Sequence, residues 1–455
     1  MKTPNSKLFS WLLGITTFLI PFYFIRFNIF GIPTNVFEIS VLLLLATTMI
    51  QNLKFKNQND NPKVKNLTII LYSIFIILFV LSSLAGSYMV GFSRDSLGII
   101  KSWVLVPVIF GYLIGVHRHT CLSARQGFPQ PEGSPLGQIS TDQSEESNSS
   151  QKLQPTTYNL QPVFFGLYTS VMLVSLWAIA QKLGIISTLL YQAGDTSFTQ
   201  YLGANFRAFG SFESPNYLAM FIVPSAILAL GLNQKVKTQN QKILKWIFYL
   251  SYILPLSALA FSRSRAGFIA LIGAALVYST VMIYRSIRNK SYSAVFIVLS
   301  IILYSLFLLL FYHYGLRPGS DAIRFEIYGY AINLVKENWL WGIGAGNFQA
   351  MIKTFDLSSN FITYGLPNAL HPHNLYLALI LNFGLLGLIS FLGLSILAMY
   401  RLLKIRSVGA ALILASLTAI LIHGVFDTTY FKNDLSAIYW LIIFMAVYDD
   451  KYTEA

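Results

Sequence analysis

Apolar stretches of roughly 20 residues, parted by short polar or charged segments, recur along this chain, and each is long enough to cross a bilayer as a helix. Twelve can be marked out: 8–25, 32–52, 67–85, 98–116, 162–183, 214–232, 246–262, 266–284, 293–314, 374–400, 408–426 and 433–448. Of the 455 residues, 55% are hydrophobic and only 11% are Asp, Glu, Lys or Arg. A water-soluble fold carries about 25% charged residues, so a soluble enzyme of this length is excluded. Wholesale disorder, which needs low hydrophobicity, is excluded by the mean hydropathy of +0.59. The sequence predicts an all-α polytopic membrane protein of about twelve transmembrane helices. The first stretch runs into Pro21 and aromatic residues instead of a small-residue cleavage site, and is read as a helix that is kept.

The net charge of +14 sits in short clusters between apolar runs. A nucleic-acid binder gathers its basic residues on one solvated face, so no nucleic acid is expected as a partner. The clusters read as topology signals facing anionic membrane lipids. With the amino terminus inside, twenty of the 32 basic residues fall on cytoplasmic segments and ten on outer loops, which puts both termini in the cytoplasm. The single cysteine, Cys121, excludes an intrachain disulfide, a thiolate zinc site and an iron–sulfur centre. Residues 1–116 are expected to hold helices one to four, 117–161 a disordered cytoplasmic linker rich in Gln, Ser, Pro and Gly, and 162–455 helices five to twelve. An outer loop, 315–370, separates helices nine and ten. Within it Ile323, Ile327, Tyr330, Leu334 and Val335 recur at helical spacing, predicting an amphipathic helix that lies on the membrane or caps a cavity.

Outer loops that keep arginine need a reason. Arg207 stands in FRAFGSFESPN, Arg263 and Arg265 in SRSRAG, and Arg324 on the amphipathic stretch. Snorkelling into headgroups is the plain alternative. Arg265 fits it least, because it stands between two apolar helices on the side disfavoured for positive charge. A guanidinium binds phosphate oxygens in pairs and stays charged, so converging arginines suggest a phosphate or diphosphate ligand. In LHPHNLYLALILNFGLLGL, Pro372 suits a helix start and Asn374 its cap. His373 suits proton transfer near neutral pH, and Gly384 and Gly387 make a small face for close helix approach. Asp195, Glu213, Asp321 and Glu326 are scattered at spacings that build no metal site, so no metal is expected.

These motifs resemble the bacterial O-antigen ligases and O-antigen polymerases, over roughly residues 200–400. The family's histidine signature is matched by His373-Asn374, nine residues, Gly384, two residues and Gly387. Its Arg…Gly…Pro-Asn segment is matched by Arg207, Gly210, Pro215 and Asn216, and its Ser-Arg motif by Ser264 and Arg265. Arg324 and WLWGIGAGNF resemble its long outer loop. The resemblance implies a type-C-like, metal-independent, inverting glycosyltransferase of the bacterial inner membrane, without cofactor. Its donor would be a glycan on undecaprenyl diphosphate and its acceptor a lipid-core sugar or a growing glycan, so ligase and polymerase both stay open. Arg265 and Arg324 would act on the diphosphate together with Arg207; His373 would take or orient the acceptor proton. Asn216 and Asn374 would support binding, and Arg263 or Arg265 would face the diphosphate. Proteins regarded as bicarbonate transporters are similar to the same family, which makes a small-anion transporter the alternative. A transporter needs ionisable residues near the membrane midplane, whereas here the helix centres are nearly free of charge.

The loop charges predict that a reporter fused within 117–161 reads cytoplasm and one at Ser358 reads the outer side. The reverse pattern at both sites would overturn the orientation.

Overall fold

A computed structural model describes residues 5–29, 32–54, 67–89, 91, 94–115, 161–186, 206–233, 241–286, 298, 301, 302, 305, 318–359, 361–366 and 369–447. Helix α1 spans Asn5–Leu19 and closes with a 3₁₀ turn, Ile20–Phe22; a small hairpin of β1 (Arg26–Ile29) and β2 (Ile32–Asn35) leads into α2, Val36–Lys54. Helix α3 is Leu67–Met89, and α4, Arg94–Ile100, continues through a π-helical turn at Lys101–Leu105. Next come α5 (Gln161–Lys182), α6 (Pro215–Asn233), α7 (Gln241–Ser262) and α8 (Arg265–Ser286). After α9 (Pro318–Asn338) and the short α10 (Phe348–Ile352), the chain ends in α11 (Leu375–Lys404), α12 (Val408–Gly424) and α13 (Asn433–Val447).

Among the described residues, five helical stretches are long and apolar enough to cross a membrane: Ile70–Met89, Ser96–Gly115, Gln161–Lys182, Arg265–Arg285 and Leu375–Lys404. Six shorter apolar helices accompany them. The fold is therefore an all-α, multi-pass bundle, and every predicted stretch but 293–314 overlaps one of these helices. That stretch and the predicted linker lie, almost entirely, outside the described residues.

The bundle core is aromatic. Phe391 stacks on Tyr439 at 4.3 Å, and buried Trp440 donates to the Tyr430 hydroxyl, which in turn donates to the Trp103 carbonyl. This gives each of these buried aromatic polar groups a partner. Where α6, α8 and α12 meet, alanines dominate the buried residues: Ala219, Ala270, Ala274, Ala415 and Ala419, beside Val223 and Leu259. Helices surrounded by lipid gain from such close backbone packing because lipid tails offer no hydrophobic contrast.

The segment from α9 to the start of α11 has a core of its own. Ile327, Ala331, Leu334, Phe348, Ile352 and Phe361 are buried together, with Ile323, Tyr330 and Val335 packed against them. The apolar stripe of α9 is thus covered by the loop itself and by Leu381 of α11.

Helix α11 breaks at Gly384, whose φ of 69° is left-handed. The break separates the Leu381 carbonyl from the Leu385 amide, which an unbroken helix would pair. Both groups are satisfied by the loop: Leu385 N donates to Trp339 O at 2.9 Å, and Ile343 N donates to Leu381 O at 2.6 Å. Backbone groups at membrane depth need such replacement partners. The glycine predicted to admit a neighbouring helix instead breaks its own helix and admits the loop. A Cβ at Gly384 would strike the Leu340 carbonyl. Gly384→Ala should therefore cost more than the roughly 1–3 kcal/mol of left-handed strain alone, read as a lower unfolding midpoint in detergent. An unchanged midpoint would refute this role.

Candidate active site

The helix ends at one side of the bundle carry a buried carboxylate, Asp427, in the turn between α12 and α13, with 3% of its side chain exposed. An ion so buried is tolerated only with partners. Its Oδ1 lies 3.1 Å from His373 Nδ1 and accepts the Thr428 amide at 2.9 Å; its Oδ2 accepts the Asn216 amide at 3.1 Å and lies 3.9 Å from an Arg324 nitrogen. Burial alone would push the Asp427 carboxyl up. The charge and hydrogen bond of His373, then Arg324 and His371, outweigh it and hold the group well below the ordinary carboxylate range.

Each partner is placed by local structure. Asn374 caps α11, its side-chain oxygen accepting the Tyr376 and Leu377 amides at 3.0 Å each, while its amide donates to Val425 O at 2.9 Å. That cap holds the start of α11 against the end of α12 and leaves little of Asn374 for a ligand. His373 precedes it with a φ of 48°, a left-handed conformation rare outside glycine, and the Tyr328 hydroxyl of α9 holds its carbonyl at 3.0 Å. Because Asp427 only accepts, His373 Nδ1 must donate, and this tautomer puts the lone pair of a neutral ring on Nε2.

Arg207 lies on the segment before α6. Gln181 of α5 clamps that segment by accepting the Phe209 and Gly210 amides and donating to the Gly210 carbonyl. The arginine donates from Nε to Ser262 O at 2.8 Å and from a terminal nitrogen to Asn216 Oδ1 at 3.1 Å. Asn216, directly after Pro215 at the start of α6, thus bridges Arg207 to Asp427. The structure brings His373, Arg324, Asn216 and Arg207 into one network, with Asn374 beside it.

The SRSRAG corner stands at its edge. Arg263, with a φ of 49°, makes the tight turn from α7 to α8, and its side chain is exposed. Arg265 is half-buried as the first residue of α8, one residue after Ser264, whose hydroxyl accepts the Gly267 amide. The Arg207–Ser262 bond ties this corner to the network.

Two residues were missed from sequence. Asp427 belongs to a short turn between apolar helices, where an ionisable residue has little loop to solvate it; that is the one sequence signal it carries. Tyr217, beside Asn216, approaches His371 Nε2 with its hydroxyl at 2.9 Å while Lys432 Nζ lies 3.8 Å over its ring. His371, two residues before His373, also stands inside the cluster: its ring centre is 4.4 Å from that of His373 and its Nε2 3.8 Å from Asp427 Oδ1. Burial, and then the neighbouring His373, push its pKa down to about 3. Lys432 also pairs with Glu213 at 2.7 Å, which Arg26 approaches at 3.4 Å. Burial raises the Glu213 carboxyl, but Lys432 and then Arg26 outweigh it and hold it below its ordinary value.

Residues 250–392 match the family described as O-antigen ligase. The matched stretch holds Arg263, Arg265, Arg324 and His373, whereas Arg207, Asn216 and Asp427 lie outside it and join by geometry. No curated protein matches the chain.

The depressed pKa of His371 has a consequence for stability. An unfolded histidine takes its proton near pH 6.5 and the folded one near 3. Stability should be full above the unfolded value and decline as pH falls toward the folded one. His371→Gln should flatten this decline in unfolding curves between pH 7 and 4. Parallel curves for the two proteins would contradict the burial of a neutral imidazole.

Proposed function

We propose that this member of the O-antigen ligase family transfers a glycan from undecaprenyl diphosphate to a sugar hydroxyl at the outer face of the bacterial inner membrane. The observation that carries the reading is the Asp427–His373 pair, with arginines gathered beside it. The acceptor hydroxyl approaches His373 Nε2, gives up its proton there and attacks the anomeric carbon. The bond from that carbon to the diphosphate oxygen breaks, and undecaprenyl diphosphate leaves with the electron pair. A single displacement inverts the anomeric centre and needs no covalent intermediate.

Asp427 fixes the tautomer and orientation of His373 and stabilises the imidazolium that forms. The roles of the arginines follow from charge. Arg324, Arg265 and Arg207 neutralise the negative charge that grows on the leaving diphosphate, an effect strongest where water is excluded. Asn216 keeps Arg207 and Asp427 in register, and Asn374 positions His373 by capping α11. Arg263, exposed at the corner, is the less favoured of the two SRSRAG arginines for the diphosphate. His371 takes no part in the reaction.

No metal is required in this mechanism. His371, His373 and Asp427 carry donor atoms within 4.8 Å of one another. The Asp427 carboxylate is nevertheless already engaged by His373, Asn216 and Arg324.

The test is transfer by the purified protein in nanodiscs with excess chelator. Activity should persist; loss restored by a divalent ion would refute the metal-free mechanism. His373→Ala should leave donor binding nearly intact and cut single-turnover transfer by roughly 10²–10⁴-fold. Arg324→Ala and Arg265→Ala should weaken donor binding as well, with lysine rescuing only in part because it lacks the paired geometry. A fully active His373→Ala would remove the proposed base.

A further inference from the structure

The contacts that make His373 a base also form an incipient chelate. A tetrahedral zinc ion, with bonds of about 2.0–2.2 Å to nitrogen and oxygen, holds neighbouring donor atoms about 3.3–3.5 Å apart. Here Asp427 Oδ1 lies 3.1 Å from His373 Nδ1 and 3.8 Å from His371 Nε2. All three donor atoms fall within 4.8 Å of one another, so small side-chain rotations close the set. The two histidines keep 20% and 15% of their side chains exposed, which leaves an approach over the imidazoles. Two imidazoles and a carboxylate are a donor set suited to zinc and similar borderline divalent ions.

We infer that His371, His373 and Asp427 form an inhibitory site for a divalent transition-metal ion, zinc being the best fit, and that ion binding and catalysis exclude each other. The exclusion follows from the atoms. An ion bound to His373 Nδ1 takes the place of the proton that Asp427 accepts there, and it occupies the oxygen that orients the ring. The site is tuned to bind weakly. Arg324, 3.9 Å from the other Asp427 oxygen, repels a cation, and the Tyr217 hydroxyl, 2.9 Å from His371 Nε2, competes for the same nitrogen. His371 then has a purpose that the transfer reaction does not give it: it supplies the third ligand.

The inhibition rests on the proposed function, whereas the binding does not, so the two can fail separately. Zinc chloride is titrated into the purified full chain in nanodiscs, with binding read by calorimetry and transfer measured in parallel. One ion per chain should bind, inhibit transfer and be reversed by chelator. His371→Ala should weaken zinc binding at least roughly tenfold and relieve the inhibition, while transfer without zinc changes little. Tyr217→Phe removes the competing hydroxyl and should tighten zinc binding. Absence of zinc binding to the unaltered protein would overturn the proposal, as would inhibition of His371→Ala at the same zinc concentration. Zinc binding as described in a protein without transfer activity would instead count against the proposed function.

Discussion

The site is organised by the cost of burying one negative charge. Asp427 is nearly inaccessible, and an isolated carboxylate there would protonate or destabilise the fold by several kcal/mol. It is held ionised because four separate pieces of chain each bring it a donor or a positive charge: Asn216 from the start of α6, Arg324 from α9, His373 from the approach to α11, and its own turn through the Thr428 amide. Meeting that requirement brings the ends of α6, α11 and α12 and helix α9 to one point. The geometry needed to stabilise Asp427 is also the geometry that orients His373, the proposed base.

The supporting structure explains how a loop can hold a charged residue in register with a helix bundle. The loop has its own apolar core, and its WLWGIG segment exchanges backbone hydrogen bonds with α11 at the Gly384 break. That exchange fixes the loop to the same helix whose cap presents His373, so Arg324 and His373 sit on elements packed directly against each other. Strain is concentrated nearby: among the described residues, Arg263 and His373 are the non-glycine residues with positive φ. One makes the SRSRAG corner and the other is the proposed base. Strained conformations persist where the surroundings over-determine them, and the Tyr328 and Asn374 contacts do so for His373.

The sequence was informative about spans and motifs because both are local. Length and hydropathy identify a membrane helix without tertiary knowledge, and Asn374 as a cap follows from a residue type beside an apolar run. Non-local facts were hidden. Asp427 stands 54 residues from His373 and looked like an ordinary turn residue, since nothing in FDTTYF shows which histidine it will meet. Gly384 was read as a packing face because a small residue suits both close approach and a helix break. His371 and His373 differ by two positions and are both half-buried; only their partners, Tyr217 for one and Asp427 for the other, separate their roles.

Whether Asp427 acts on the reaction through His373, as proposed, is decided by a double-mutant cycle. Single-turnover transfer would be measured for the unaltered protein, Asp427→Asn, His373→Ala and the double variant, with folding checked by thermal unfolding. Residues that act as a unit are strongly non-additive. Asp427→Asn should therefore be severe alone and add almost nothing once His373 is gone. Equal losses from Asp427→Asn in both backgrounds would mean that the two residues act independently and that Asp427 does not orient His373 for the reaction.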